Sequence, residues 1–425
     1  MKSYLNKLPK EILDLIYLAR DIAQESGTQV YLVGGFVRDL ILGVKNFDLD
    51  IVVEGEGIIF AEKFAHALKA KLIRHRRFGT ATLMHRPHLK IDFATARKEF
   101  YPAPGHLPVV ESGTLKDDHF RRDFTINAMA IDITAENFGK LIDFYGGRLD
   151  LKNKIIRILH DLSFLDDPTR ILRAIRFESR YCFHIEQNTL KKMKEAIRIN
   201  MLDQVEPQRV RDDLILMFKE KHPLREVLRM QELIGFGFIN PKLKVLNSAI
   251  KLLIAIDKEV AWFEKNCPLR RPLDRWLIYF LGTIDGCSLS VSQEICKRFV
   301  FKKGEEKRII AYKSITKSFI LKLSKKGLKP SLVFSMLEPL SYEVILALKA
   351  KYKNKELQRH IVDFFEIYNG MKICISGDDL HGLGLKPGPY YQKIFAEVLN
   401  AKLNGIVKNK EQELDLIKQK LKEKK

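Results

Sequence analysis

Val30-Tyr31-Leu32-Val33-Gly34-Gly35-Phe36-Val37-Arg38-Asp39 is followed a few residues later by Asn46-Phe47-Asp48-Leu49-Asp50-Ile51-Val52-Val53. The first stretch predicts a strand, a Gly-Gly turn and a short helix. The second predicts another strand, this one carrying two carboxylates. Side chains alternate along a strand, so Asp48 and Asp50 share one face while Leu49 and Ile51 enter a core. Neighbouring carboxylates repel each other unless a cation neutralises them. A pair of Mg²⁺ ions about 3.5–4 Å apart does so, and it can clamp both oxygens of a phosphoryl transfer. Gly34 and Gly35 let backbone N–H groups approach a triphosphate, and the next helix offers a positive N-terminus. Arg38 lies about one turn into that helix. Taken separately, the pieces also read as a solvated strand edge and a tight turn in which Arg38 pairs with Asp39.

The rest of the chain gives this unit its setting. At 425 residues and 46% hydrophobic, it is long and apolar enough for two to four folded domains. The net charge of +21 predicts a polyanionic partner, because basic surfaces bind phosphate backbones through counterion release. No apolar run reaches about 18 residues and no secretory signal is evident, which argues against a membrane role. Cys182, Cys267, Cys287, Cys296 and Cys374 form no C-x-x-C pair. They suggest neither a zinc site nor a disulfide framework, but reduced thiols in a cytoplasmic setting.

Apolar spacing predicts helices over residues 8–26, closed by Gly27, and over 57–70. Residues 79–84 and 90–94 read as a hairpin. Beyond about residue 150 helical periodicity dominates and no convincing strand is evident. The predicted class is therefore α+β: an α/β head with a mixed sheet over 1–150, then an all-α neck (151–222), body (223–330) and tail (331–425). The Pro/Gly-rich run 101–108 breaks regular structure, as a loop over the site or a passive connection. The basic segments 349–355 and 409–425 are solvated helix faces or nucleic-acid contacts.

Two further constellations carry chemistry. In Arg121-Arg122-Asp123-Phe124-Thr125-Ile126-Asn127-Ala128, an arginine fork suits a triphosphate, though either arginine can instead pair with Asp117 or Asp118. In Asp166-Asp167-Pro168-Thr169-Arg170, Asp167 is the expected N-cap and Pro168 the first helical residue. Arg170, Arg173 and Arg176 then recur along one face, so an anion or carboxylates should lie opposite. The plainer alternative is a surface stripe pairing with Glu178 or Asp166. Asp92, on the second hairpin strand, is a candidate third carboxylate or a partner of Arg97.

Together these motifs resemble the class II tRNA nucleotidyltransferase and bacterial poly(A) polymerase family. The specific likeness runs from about residue 30 to 213 and fades to general helical character beyond. It implies transfer of a nucleoside monophosphate from ATP, or CTP, to an RNA 3′-hydroxyl without a template. It also implies Mg²⁺ held by Asp48 and Asp50, with Asp92 catalytic. Gly34, Gly35, Arg38, Arg122 and Asn127 would hold the nucleotide, with Arg173 and Arg176 close by. Asp167 and Arg170 would read the base edge, as in the family's E-D-x-x-R motif, whose Glu is Asp166 here. Residues 206–214 stand where a fifth motif falls. Gln208 replaces its usual Glu, leaving that segment a structural role. The implied acceptor is the upper half of tRNA, its acceptor and T stems. The motif details lean towards the A-adding branch, whose modules are often fused to further domains. CC-adding, CCA-adding and poly(A)-adding activities stay open. So do an inactive RNA-binding relative and an enzyme acting on small molecules.

Overall fold

The computed structural model describes residues 2–45, 48–86 and 89–423. Asn46 and Phe47 of the opening stretch lie outside the described residues. Two compact units divide the chain, Met1–Leu214 and Ile215–Lys425.

The first unit is built on strands β1 (Gln29–Val33), β2 (Leu49–Glu54), β3 (Leu72–His75), β4 (Thr80–Arg86) and β5 (Leu89–Thr95), with β8 (Met129–Asp132) and β9 (Lys140–Asp143). They form one sheet in the order β3-β4-β5-β2-β1-β8-β9. Only β2 and β5 run parallel; the other neighbours are antiparallel, so the sheet is mixed as expected. Apolar residues of β1 and β2, such as Val30, Leu32, Ile51 and Val53, are fully buried and fix the register. The first predicted helix covers Lys10–Ser26 and ends on Gly27 in the left-handed conformation. The second covers Gly57–Leu68.

The run 101–108 is irregular as expected, and it joins two short strands, β6 (Arg97–Phe100) and β7 (Val109–Ser112), in an antiparallel ladder. Two other local expectations are corrected. Past residue 150 the unit is helical except for one parallel ladder, Ile155–Ile156 with His184–Ile185. Strands of two residues are too short to show a period. The arginine-bearing helix spans Thr169–Tyr181, with Pro168 just outside it rather than in its first position. Asp167 instead closes the short helix Ser163–Asp166, yet its carboxylate still accepts from Thr169 N at 3.1 Å.

The second unit is helical. Asn247–Asn266, Arg275–Thr283 and Tyr342–Lys351 bury much of their surface. Glu343, fully buried, is held by Arg271 at 2.9 and 3.0 Å and by Asp274 N at 2.9 Å. Towards the end of the chain, Ser376 and Asp379 form a capping box on Gly377–Gly382. Helices Tyr390–Leu403 and Lys410–Glu423 close an apolar cluster around Ile375, Leu380, Ile394 and Val398. Among the described residues no single helix is long and apolar enough to cross a membrane.

Candidate active site

A cleft of about 520 Å³ opens in the first unit where β1 passes into the helix Gly34–Leu42. Gly34 makes that passage with φ of 67°, a conformation that favours glycine. A Cβ there would stand 2.7 Å from Arg122 Nη1 and 3.6 Å from Asp50 Oδ2. The missing side chain therefore lets a backbone turn, a guanidinium and a carboxylate converge. Arg122 cannot simply swing away, because Nη2 and Nε donate to Asp118 at 2.8 and 3.1 Å. Gly34→Ala should weaken ATP binding about tenfold, from left-handed strain of about 1–2 kcal/mol plus the clash. Calorimetric titration of ATP checks this, and an unchanged affinity would remove the turn from the site.

Of the carboxylates offered to the double arginine, Asp118 is the one that Arg121 and Arg122 take, and the pairing leaves both side chains on the cleft wall. Burial alone would raise the Asp118 pKa, but the two guanidiniums more than offset it and bring it down to about 2. Beside them, burial pushes His119 down to about 3, so its ring is neutral. A relay continues across the cleft. Arg38 Nη1 donates to Asn127 Oδ1 at 2.6 Å, Asn127 Nδ2 donates to Asp123 Oδ1 at 2.8 Å, and Asp123 pairs with Arg173. Arg38 also stacks 4.8 Å from the Tyr181 ring centroid. These arginines thus enter the cleft already held by polar partners, and Arg173 of the arginine helix takes Asp123 rather than Glu178 or Asp166.

Asp50, on β2, lines the same cleft. Burial raises its pKa to about 6, with the charges of Asp92 and Asp48 adding to the rise and Arg122 and Lys90 opposing it. Asp92 sits directly opposite Asp50 in the parallel register. It accepts from Thr82 Oγ1 at 2.7 Å and pairs with Lys90 at 2.5 Å. Arg97 is not its partner; that guanidinium holds Glu99 at 2.7 Å. Asp48 is exposed just ahead of β2. Among the described residues no group of three His, Cys, Asp or Glu side chains is ready to cage a metal. Hard oxygen donors in this number suit Mg²⁺, which takes one or two protein carboxylates and completes its shell with water and phosphate.

At the neck end of the cleft, Asp167 Oδ1 accepts from Thr169 N at 3.1 Å, Thr169 Oγ1 at 2.7 Å and Arg209 Nη2 at 2.8 Å. Its Oδ2 has no hydrogen-bond partner among the described residues. Arg170 is nearly fully buried. Its Nη1 donates to Ser163 Oγ at 2.6 Å and Nη2 to the Arg121 carbonyl at 2.6 Å. Among the described residues its Nε–H and one Nη2 hydrogen have no acceptor.

Of the expected residues, the cleft gathers Gly34, Gly35, Arg38, Asp50, Arg122, Asn127, Asp167, Arg170 and Arg173. Asp48, Asp92 and Arg176 are not on its wall. Arg176 is buried behind it, 5.1 Å from the Phe177 ring, where its charge bears on Asp213. Arg121 of the arginine fork also lines the cleft, while Glu99, Tyr101 and Arg209 are cleft residues that the sequence does not single out. Tyr101 donates to Glu99 at 2.9 Å, and both line the cleft. Glu99 lies on the short strand β6 and Tyr101 follows that strand, where no periodicity marks them; Arg209 lies on the helix Pro207–Lys219, in the motif segment whose expected role is structural.

Residues 30–157 match the family described as Poly A polymerase head domain. An A-adding tRNA nucleotidyltransferase of Geobacter sulfurreducens is 36% identical over 412 residues, covering 96% of this chain and 47% of that protein. Another, from Halalkalibacterium halodurans, is 29% identical over 426 residues, covering 97% of this chain and 93% of that protein. The solved Thermotoga maritima CCA-adding enzyme complexed with tRNA is 33% identical with a TM-score of 0.73, covering 99% of this chain and 98% of that one. The chain thus spans about half the length of the Geobacter relative and nearly all of the other two. It belongs to the tRNA nucleotidyltransferase and poly(A) polymerase family.

Proposed function

We propose that this chain transfers AMP from ATP to the 3′-hydroxyl of a tRNA ending in CC, releasing pyrophosphate. The observation that carries this reading is the single cleft that holds a carboxylate strand, a preset array of guanidiniums, and Asp167 with Arg170. Gly34, Gly35, Arg38 and Arg122 bind the triphosphate, and Asn127 and Arg173 orient those cations. Asp167 Oδ2 accepts from the exocyclic amine of adenine while the free edge of Arg170 donates to its ring nitrogen. Guanine and uracil turn a carbonyl towards the carboxylate and are repelled. Asp48 and Asp50 hold the divalent cations, Mg²⁺ in this reading, which neutralise the carboxylates and polarise the reacting phosphate when bound. Asp92, with both oxygens engaged, acts electrostatically on Asp50. Arg176 supports the wall from behind.

Cytosine also carries an exocyclic amine beside a ring acceptor. Full CCA addition is therefore the second reading, favoured by the match to the CCA-adding structure over nearly its whole length. The test offers each labelled nucleotide separately to tRNA transcripts ending before the tail, after C and after CC. Incorporation of AMP alone, on the CC end alone, supports the first reading. CMP added to the shorter ends supports the second, and no incorporation at all overturns both.

In the same reading residues 1–150 are the catalytic head, 151–222 the neck, 223–330 the body and 331–425 the tail, in a cytoplasmic protein. The acceptor and T stems bind through backbone and shape, because +21 of net charge favours phosphates over base edges. Binding should therefore weaken at least about 10³-fold between 50 and 200 mM salt. A minihelix of the two stems should compete within about threefold of whole tRNA. Filter binding across a salt series measures both, and a flat salt response would sink this part.

A further inference from the structure

We propose that Arg209 is a positioning residue for base selection: it presets Asp167 so that only Oδ2 is left to read the base. The inference rests on the base-reading role given to Asp167 above. Three donors converge on Oδ1, which exceeds the two lone pairs of a carboxylate oxygen. Two of them belong to Thr169, one residue past Pro168, and follow from the local turn. The third, Arg209 Nη2, comes from the helix Pro207–Lys219, and it is the one that fixes the carboxylate across a tertiary gap.

Arg209 is itself fixed. Its Nη1 donates to the Gly105 carbonyl at 3.2 Å. Gly105 N donates in turn to the Leu165 carbonyl at 3.1 Å. Gly105 has φ of 73°, and a Cβ there would come within 3.1 Å of the Gln204 carbonyl. The guanidinium is thus stretched between two acceptors on different segments, a task that suits its planar fork and not a lysine ammonium. A carboxylate free to rotate would offer either oxygen, or a bridging water, to an incoming base. It would then tolerate a carbonyl as well as an amine. Held as it is, Asp167 presents one acceptor in one place, which is what discrimination by hydrogen bonding requires.

The test uses the full chain and two variants, Arg209→Ala and Arg209→Lys. Equilibrium affinities for ATP, CTP, GTP and UTP are measured by calorimetry, and single-nucleotide incorporation is followed on the CC-ended transcript. For Arg209→Ala the preference for ATP over GTP should fall about tenfold in both assays, with ATP affinity changed less than about threefold. Arg209→Lys, which keeps one of the two bonds, should recover part of that preference. A merely structural arginine would lower melting temperature and activity with every nucleotide alike, leaving the ratio untouched. An unchanged ATP-to-GTP ratio in a folded Arg209 variant overturns the proposal. Should the wild-type chain incorporate nothing, the proposed function fails, and the binding ratios still decide the role of Arg209.

Discussion

Asp50→Ala will lower nucleotide incorporation by at least ~10³-fold, equivalent to about 4 kcal/mol of transition-state stabilisation. Its carboxylate is the one acidic group from the D-x-D strand on the wall of the cleft, and it faces the position a Cβ of Gly34 would take. Burial and two neighbouring carboxylates oppose its ionisation, a cost that a bound cation would remove. tRNA affinity in the same variant should stay within about threefold of wild type, because it rests on many distributed phosphate contacts. Single-turnover incorporation and filter binding, run side by side, separate the two. Near-normal incorporation would remove the metal role, while a parallel collapse of tRNA binding would point to misfolding. Asp48→Ala should fall in the same direction.

For Asp118→Asn the expected loss is in stability, about 3–5 kcal/mol at pH 7. The carboxylate is fully buried and receives both Arg121, at 2.5 Å, and Arg122, at 2.8 Å. Asparagine keeps the volume but removes the counter-charge the two largely buried guanidiniums share, leaving Arg121 only its 3.2 Å contact with Glu99. The sign of the pH effect follows from the depressed pKa. A carboxylate near 2 in the folded protein and near 3.8 unfolded stabilises the fold fully above about pH 4, and that contribution fades as pH falls through about 2. Buried, neutral His119 adds a loss in the same direction, beginning as the pH drops below its ordinary 6.5. The gap in melting temperature between wild type and Asp118→Asn should therefore be widest near neutrality and narrow in acid. A gap that does not change with pH would mean that the ion pairs are not its source. ATP affinity should fall as well, since Asp118 is what aims Arg122 at the cleft.

Much of the site is legible because its residues lie close in sequence on regular elements. Gly34, Arg38 and Asp50 belong to one strand–turn–helix–strand unit, whose alternation and glycine requirement follow from backbone geometry alone. Arg122 and Asn127, and likewise Asp167 and Arg170, sit at short spacings that a single sequence displays. The mixed head and helical remainder followed from the switch in hydrophobic period near residue 150.

Tertiary structure decided the rest. The pairing of Asp92 with Asp50 depends on a parallel register between β2 and β5, which no local period encodes. Which carboxylate holds which arginine was ambiguous in sequence, because Asp117 and Asp118 both lie within reach of Arg121 and Arg122, and Asp166 and Glu178 within reach of the arginine helix. Folding assigned Asp118 to Arg121 and Arg122, and Asp123 to Arg173 fifty positions away. Arg209 meets Asp167 across 42 residues and Gly105 across 104. Sequence alone determined which side chains share a strand face or a helix face, because short-range spacing fixes side-chain direction, and the family resemblance supplied the chemistry they imply. The partners that aim each charged group were decided only by the fold, because electrostatic pairing depends on distance in space and not along the chain.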